Sequence, residues 1–313
     1  MTNLSEFTFL SSDGKTQLHG MLWEPEGVAV RAVLQICHGV AEHIARYDGF
    51  ARALNEQGIV VAGHDHLGHG KSLPEGGTPV YFGEGNTWNT VVDDIYVLHQ
   101  RLKQRYPDVP LCIMGHSMGS FLTRTYLIRY PGTVKAAVIM GTGWQPQAAI
   151  TGGLALANAI AAVSGENATS ELVTELAFGS YNKLFAPNRT KVDWLSADES
   201  NVDEYIADPL CGADATVGLF RQMLHGIRFN QRQSHLRQMD REMPVLFVAG
   251  DKDPVGNCGK GVRQTYDAFR AAGMRDCTLK LYPGLRHEIL NEKAYTADIT
   301  KNIEAWLLSR LEK

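Results

Sequence analysis

The sequence predicts an α/β fold built on a mostly parallel sheet, with helices on both of its faces. Short apolar runs alternate with helix-like runs through residues 1–143, and the alternation returns in residues 242–313. Such alternation favours parallel strands, because each helix carries the chain back to the edge where the previous strand began. Residues 144–241 contain no turn-bounded apolar run of strand length, so we expect them to form an inserted helical cap, or lid.

Eight runs have the length and composition of strands. The first two, Phe7–Leu10 and Gln17–Trp23, flank a turn at Ser12–Gly14 and are expected to pair antiparallel. The other six are Ala32–Cys37, Ile59–Ala62, Leu111–Met114, Ala136–Met140, Pro244–Ala249 and Thr278–Tyr282. Together they predict an eight-stranded sheet in a core made of residues 1–143 and 242–313.

Helices are predicted between these strands at about Tyr47–Gln57, at Thr87–Tyr106 and from Phe121 to Pro131, and a final helix is predicted at about Ala294–Leu311. Glycine often follows the last turn of a helix, and proline cannot continue one. Gly58 and Pro107 therefore support two of these ends.

The composition is that of a globular enzyme. With 44% hydrophobic and 20% charged residues, a chain of 313 residues can bury a large core. The net charge of −4 gives no reason to expect nucleic acid or an anionic membrane as a partner. The five cysteines form no C-x-x-C pair, so we expect reduced thiols and a cytoplasmic chain.

Two segments bear on secretion and membranes. Met1–Phe7 lacks a basic region followed by an apolar one, so we expect no signal peptide. The most apolar stretch, Ile150–Val163, is short of the roughly 20 residues that a membrane span needs. Contact with a membrane surface or micelle is expected to be transient and made through the cap.

The segment Gly115-His-Ser-Met-Gly119 lies between a strand-like run and a helix-like run. In a G-x-S-x-G motif at such a junction, the serine is a nucleophile held in a sharp, strained turn. The glycines keep side chains out of the turn, and the N-terminus of the following helix favours developing negative charge. Ser117 is therefore the candidate nucleophile.

A serine nucleophile needs a base, usually a histidine that is oriented by a carboxylate. His287 is the only histidine after the last predicted strand, which makes it the candidate base. Asp251 and Asp253 both follow the preceding strand; the spacing favours Asp253, with Asp251 bracing the loop. Glu288 is a weaker third candidate, because neighbours in sequence rarely face each other.

Acyl transfer also needs two N–H donors that stabilise an oxyanion. One is expected from Met118, the residue after the nucleophile, and the other from Val40, in the loop after the third strand. His38 and His116 flank this site and are expected to fill space beneath the loop rather than to transfer protons.

Three histidines, His64, His66 and His69, surround Asp65 and could hold zinc. A second set of ligands is missing, and the glycines among them indicate a turn-rich loop. We expect a hydrogen-bonded structural loop, with no metal and no cofactor.

The cap region contains a set of apolar and aromatic residues with two open interpretations. They either form the core of the cap or line a pocket for an acyl chain, since ligand sites are concave and mostly apolar. The set is Trp144, Phe178, Tyr181, Leu184, Phe185, Trp194, Leu219, Phe220 and Met223. The sequence assigns no substrate-binding residue.

Several motifs in order resemble those of the monoacylglycerol lipase and lysophospholipase branch of the α/β-hydrolases. They are His38–His43 with Arg46–Tyr47, Asp65–Ser72, Gly115–Gly119, Gly250–Val255 and Tyr282–His287. The resemblance implies the α/β-hydrolase fold and the same five site residues, and it supports Asp253 over Asp251. It covers nearly the whole chain outside the cap.

The resemblance implies a serine hydrolase that cleaves carboxylic esters, such as monoacylglycerols or lysophospholipids, through an acyl-enzyme. Short-chain carboxylesterase, peptidase and haloperoxidase activities stay open, because the cap sets the substrate. A non-catalytic ligand-binding protein on the same scaffold is a rival, which the intact set of Ser117, Asp253 and His287 disfavours. A metal-dependent hydrolase that uses the histidine-rich loop is a third hypothesis.

Overall fold

The computed structural model describes residues 1–311, with every side chain except those of residues 176 and 177. Eight strands form its centre: β1 Thr2–Leu10, β2 Gln17–Pro25, β3 Ala32–Cys37, β4 Ile59–His64, β5 Leu111–His116, β6 Ala136–Met140, β7 Val245–Gly250 and β8 Cys277–Tyr282. They form one sheet in the order β1-β2-β4-β3-β5-β6-β7-β8. Strand β2 pairs antiparallel with β1 and β4, and the other pairs are parallel. The predicted eight-stranded, mostly parallel sheet is confirmed.

The middle of the sheet is covered on both faces. Every residue of β3, β4, β5, β6 and β7 is buried. Successive residues point to opposite sides, so Val33 belongs to one apolar layer and Leu34 to the other. Fully buried parallel strands of this kind give the loops at their carboxyl ends a rigid base.

The helices within residues 1–311 are α1 Asp48–Asn55, α2 Thr87–Arg105, α3 Met118–Arg129, α4 Gln147–Ser164, α5 Glu171–Thr174, α6 Ser180–Lys183, α7 Glu199–Ala207, α8 Val217–Asn230, α9 Gln233–Leu236, α10 Lys260–Ala271 and α11 Thr296–Leu311. A π-helical turn, Glu175–Gly179, separates α5 from α6. Helices α4 to α9 all lie between β6 and β7, and we call residues 141–244 the helical segment.

Helix α10 is absent from the sequence-based prediction. Its buried residues include Val262, Thr265 and Phe269, which recur at the three- and four-residue spacing of one helix face. The signal was therefore present in the sequence.

Helix α8 joins the helical segment to the helix that follows the candidate nucleophile. The Asn230 side chain donates to the Phe121 carbonyl oxygen (2.8 Å) and accepts from Thr125 Oγ1 (2.9 Å). Both partners lie on α3, so the end of α8 is fixed by buried hydrogen bonds next to the site.

Helix α4 contains the apolar stretch that was expected to be too short to span a membrane. The helix has 18 residues and a mean hydropathy of 1.3, and 17% of them are buried. By length and composition alone, it is the one helix in residues 1–311 that could cross a membrane. Its buried residues, Ile150, Leu154 and Ala157, lie on one face, and Gly153 lies against Leu224 of α8.

Candidate active site

Ser117 occupies the sharp turn between β5 and α3. Its φ of 55° and ψ of −122° are values that a side-chain-bearing residue rarely adopts, so the backbone is strained there. A Cβ added to Gly115 would lie 2.2 Å from the Gly119 carbonyl oxygen, and one added to Gly119 would lie 2.0 Å from the Cys37 carbonyl oxygen. Only glycine fits at these two positions, which explains the spacing of the motif.

The loop after β3 lies directly against this turn. A Cβ added to Gly39 would come within 3.1 Å of Ser117 Cβ. The Gly39 N–H donates to Glu42 Oε1 at 2.5 Å, which fixes the start of the loop. Met118 is the first residue of α3, where a backbone N–H has no acceptor within the helix. Val40 and Met118 therefore belong to the two segments that border the serine.

His287 and Asp253 lie on the loops after β8 and β7. Asp253 is fully buried, and its Oδ1 lies 3.0 Å from His287 Nδ1. Because a carboxylate only accepts, the pairing places a proton on Nδ1 and leaves Nε2 as the basic nitrogen. The same Oδ1 accepts the Val255 N–H (2.9 Å). Asp251 instead accepts the Gly284 N–H (2.8 Å), so it braces the β8 loop.

A buried ion network lies beside the candidate triad, and sequence reasoning missed it. Arg46 donates to Glu42 Oε2 (3.0 Å) and to both carboxylate oxygens of Glu288 (2.7 and 2.8 Å). Asn201, on α7, donates to Glu288 Oε2 (2.8 Å). Burial opposes ionisation, but the charge of Arg46 holds the pKa of Glu288 below its ordinary value. The four-residue spacing of Glu42 and Arg46 was a sequence signal for the ion pair between these two residues.

His116 connects the network to His287. Its Nδ1 lies 3.3 Å from Glu42 Oε1, and its Nε2 lies 3.3 Å from the His287 carbonyl oxygen. Both partners are acceptors, so the ring satisfies both only as an imidazolium. Burial lowers the pKa of His116, but the hydrogen bond to Glu42 and the nearby carboxylate charges together more than offset this, and the pKa is raised. His116 thus supplies a positive charge that helps to keep Glu42 ionised.

The histidine-rich loop fills space beneath the site. His38 donates from Nδ1 to the Gly39 carbonyl oxygen (2.7 Å), and its ring lies 4.2 Å from the ring of His66. Desolvation lowers the pKa of His64 to about 3 and that of His69 to about 4, so these rings are neutral.

The loop is hydrogen-bonded, as expected, but not through the rings of His64 and His66. The ring nitrogens of His64 and His66 have no partner among the described residues, and their side chains are held by packing. Asp65 makes the polar contacts instead, with His19 Nδ1 (2.9 Å) and the N–H groups of Ile44 (2.8 Å) and Lys71 (2.9 Å). Within residues 1–311, the three histidines are not among the side chains close enough to share a metal ion.

A cavity of about 810 Å³ opens above Ser117 and His287, both of which line it. The rest of its wall comes from the loop after β3 and from the helical segment. Glu42, Glu288 and Tyr205 give polar lining, whereas Val40, Phe178 and Trp194 give apolar lining. The Trp194 ring lies 5.1 Å from the His287 ring, so the helical segment reaches the candidate base.

The apolar residues of the helical segment divide between the two interpretations left open by the sequence. Phe178 and Trp194 line the cavity and stack on each other at 6.3 Å. Leu219 and Met223 are buried in the core, and Leu184 is 61% exposed. The sequence could not separate these groups, because both uses need apolar side chains at helical spacing.

A strained serine after the fifth strand of such a sheet, with a carboxylate-paired histidine after the last strand, defines the α/β-hydrolase class. Residues 28–294 match the family Hydrolase_4, described as serine aminopeptidase, S33. The chain belongs to this α/β-hydrolase family.

Relatives of known activity cover almost the whole chain. A monoacylglycerol lipase of Mycolicibacterium smegmatis is 30% identical over 98% of each chain. A monoglyceride lipase of Mus musculus is 28% identical over 96% of this chain and 90% of its own length. The solved structure of a thermostable carboxyl esterase from Bacillus coagulans, in complex with glycerol, is 26% identical, with a TM-score of 0.92 over 99% of this chain and 100% of that one. The chain is a carboxylic ester hydrolase of the monoacylglycerol lipase and lysophospholipase-like branch.

Proposed function

We propose that the chain hydrolyses monoacylglycerols through Ser117, His287 and Asp253. The observation that carries this proposal is a cavity at Ser117 with hydrogen-bond acceptors, Glu42 and Glu288, together with apolar walls. A monoacylglycerol likewise has one polar and one apolar part, because its glycerol hydroxyls donate hydrogen bonds and its acyl chain is apolar.

In the proposed mechanism, Ser117 Oγ attacks the ester carbonyl while His287 Nε2 takes its proton. Asp253 holds the Nδ1–H tautomer and stabilises the imidazolium. The N–H groups of Val40 and Met118 stabilise the oxyanion of the tetrahedral intermediate. The intermediate collapses to an acyl-enzyme as His287 protonates the glycerol oxygen. Water, deprotonated by His287, then releases the fatty acid. No metal or organic cofactor takes part.

The polar lining favours a neutral head group over a phosphate. Arg46 is held by Glu42 and Glu288 and does not line the cavity, whereas both glutamates do. A lysophospholipid would place its phosphate beside Glu42 and Glu288, which already pair with Arg46 and His116, so this group offers the phosphate no free cation. Glycerol hydroxyls can donate to the same oxygens.

We assign the acyl chain to the side of the cavity that the helical segment covers. Phe178, Trp194 and Val192 provide apolar surface there. Residues 144–241 would then act as a cap, with residues 1–143 and 242–313 as the core. The largely unburied and uncharged helix α4 is the proposed contact with a micelle or membrane surface. The cytoplasm is the proposed compartment, because all five cysteines are free thiols.

The test is a set of initial rates on three esters of one fatty acid: the monoacylglycerol, the methyl ester and the lysophosphatidylcholine. The monoacylglycerol should have the highest kcat/KM. Glu288→Gln should reduce its advantage over the methyl ester by roughly fivefold, the value of one hydrogen bond of about 1 kcal/mol. Glu175→Gln, a carboxylate elsewhere in the cavity wall, should leave the ratio unchanged. Equal rates on the first two esters, or fastest turnover of the third, would refute the head-group assignment.

An aminopeptidase activity is the second candidate, since the carboxylates in the cavity could also bind a substrate ammonium group. The description of the matching family points the same way. Alanine p-nitroanilide distinguishes the two: the ester hydrolase should leave it uncleaved, whereas an aminopeptidase should release p-nitroaniline.

A further inference from the structure

Three side chains with metal-binding atoms meet where the helical segment touches the loop after β3. They are His43, Asp208 and Cys211, and their ligand atoms all lie within 4.8 Å of one another. His43 Nε2 is 2.9 Å from Asp208 Oδ2. None of the three takes part in the proposed reaction.

The local backbone holds this group in place. Asp208 directly follows α7 and starts a turn in which the Cys211 N–H donates to the Asp208 carbonyl oxygen (3.0 Å). The Leu210 N–H donates to Asp208 Oδ1 (2.9 Å), which leaves Oδ2 directed at His43. The thiol and the carboxylate therefore project from one fixed turn, and the imidazole projects from the opposite segment.

The charges around His43, Asp208 and Cys211 would accept a cation. Arg46 and His116 pair with Glu42 and Glu288, so neither of these cations forms an ion pair with Asp208, whose side-chain partner is the His43 ring.

We propose that His43, Asp208 and Cys211 bind one Zn²⁺ ion. Zinc takes thiolate, imidazole and carboxylate ligands in a tetrahedral site, whereas calcium and magnesium require oxygen ligands. The ligand atoms need to be about 3.5 Å apart for bonds of roughly 2.0–2.3 Å. The gap between His43 and Asp208 must open by a few tenths of an ångström, and a water molecule takes the fourth position.

Binding of Zn²⁺ releases one proton to solvent. Cys211 loses its proton to solvent and becomes a thiolate. His43 changes tautomer by exchange with water, losing the Nε2 proton and gaining one on Nδ1, so its net proton count is unchanged. Zinc then replaces the hydrogen bond between His43 and Asp208. Affinity should fall as the pH falls, because protons compete for the thiolate.

The site would tie the helical segment to the loop that carries Val40. Two hydrogen bonds already join these parts: Tyr205 Oη and the Gly212 N–H both donate to the Ala41 carbonyl oxygen (3.0 Å each). Zinc adds a coordinate link through Cys211, the residue directly before Gly212 in the same turn. It therefore stabilises the arrangement in which the cavity is covered.

The test uses the reduced, full-length protein, titrated with Zn²⁺ by calorimetry and with Co²⁺ by absorption spectroscopy. We expect one Zn²⁺ per chain, a thiolate-to-cobalt charge-transfer band, and a rise in Tm with Zn²⁺. Cys211→Ser should abolish the band and weaken binding at least tenfold. Asp208→Asn, which keeps the thiol, should also weaken binding tenfold. Cys258→Ser removes an exposed cysteine elsewhere and should behave as the unmodified protein.

The proposal is overturned if Zn²⁺ binding survives in Cys211→Ser, or if cobalt binds without the charge-transfer band. It is also overturned if Cys258→Ser, rather than Cys211→Ser, removes the band. Should Cys211→Ser fail to fold, Asp208→Asn decides, and unchanged affinity in that variant contradicts the site.

Discussion

The region around Ser117 and the outer part of the helical segment differ in how much change they can accept. Beside Ser117, one methyl group at Gly119 would collide with a backbone oxygen at 2.0 Å. In the helical segment, a Cβ at Gly152 would meet nothing within 4 Å, and Val163 is 88% exposed. We infer that the reaction depends on the region without spare space, and that substrate preference depends on the region that has it.

The two regions are nevertheless joined at the site by polar contacts. Asn201 binds Glu288, and Tyr205 binds the Ala41 carbonyl oxygen. The Glu288 N–H donates to the Leu195 carbonyl oxygen (2.7 Å). Glu288, the residue next to the candidate base in sequence, is therefore held by contacts with both regions.

The largest effect should come from the carboxylate behind His287. Asp253→Asn should lower kcat by roughly 10⁴-fold, because an amide stabilises neither the required tautomer nor the imidazolium. Asp251→Asn should lower it less than tenfold, since Asp251 only braces the Gly284 N–H. Steady-state kinetics on one ester measure both, and similar losses in the two variants would contradict the assignment.

The contrast in packing can be tested with one methyl group in each region. Gly119→Ala should lower the free energy of unfolding by about 3 kcal/mol or more and abolish turnover, because the turn and the loop after β3 must separate. Gly152→Ala should raise it by roughly 0.5–1 kcal/mol, because alanine is the better helix former in open space. Urea unfolding provides both values. Equal tolerance at the two positions would remove the distinction between the regions.

The histidine-rich loop should make the sheet region sensitive to acid. Burial lowers the pKa of His64 to about 3 and that of His69 to about 4, below the 6.5 expected in the unfolded chain. The unfolded state therefore binds protons first, and stability falls as the pH drops from 6.5 towards 4. Each ring contributes about 1.4 kcal/mol per pH unit.

His64→Leu tests this directly. His64 has no hydrogen bond to lose among the described residues, so the variant should match the parent at pH 7.5. Its stability should decline less steeply below pH 6, as measured by urea unfolding at a series of pH values. An unchanged slope would show that His64 is not held neutral.

The smallest effect should come from the apolar wall. Phe178→Ala enlarges the cavity, so it should shift the preferred acyl length by several-fold in relative kcat/KM, with little change in Tm. Leu184→Ala, at an exposed position in the same region, is the matched control and should leave the preference as it is. Loss of activity on every chain length alike would place Phe178 in the structural core instead.

Much of the fold could be predicted because strand signals are local. Ala32–Cys37 and Ala136–Met140 have the predicted bounds, since apolar β-branched runs end there at turn residues. The motif around Ser117 was equally local, because two glycines and a serine determine the turn. The final strand and helix differ from prediction by one or two residues at their starts.

The network around Arg46 could not be predicted because its members are distant in sequence. Arg46 and Glu288 are 242 positions apart, and no local pattern indicates that a glutamate beside the base turns away from it. The unbonded nitrogens of His64 and His66 were missed for a related reason. Polar residues in a loop suggest hydrogen bonds, whereas here the rings pack as part of the core.

The most direct test of the account is covalent labelling with a fluorophosphonate, followed by intact mass and peptide mapping. The account predicts a single adduct on Ser117, slower labelling in Asp253→Asn, and no labelling or ester hydrolysis in Ser117→Ala. An adduct on another residue, or hydrolysis by Ser117→Ala at the rate of the unmodified protein, would contradict it.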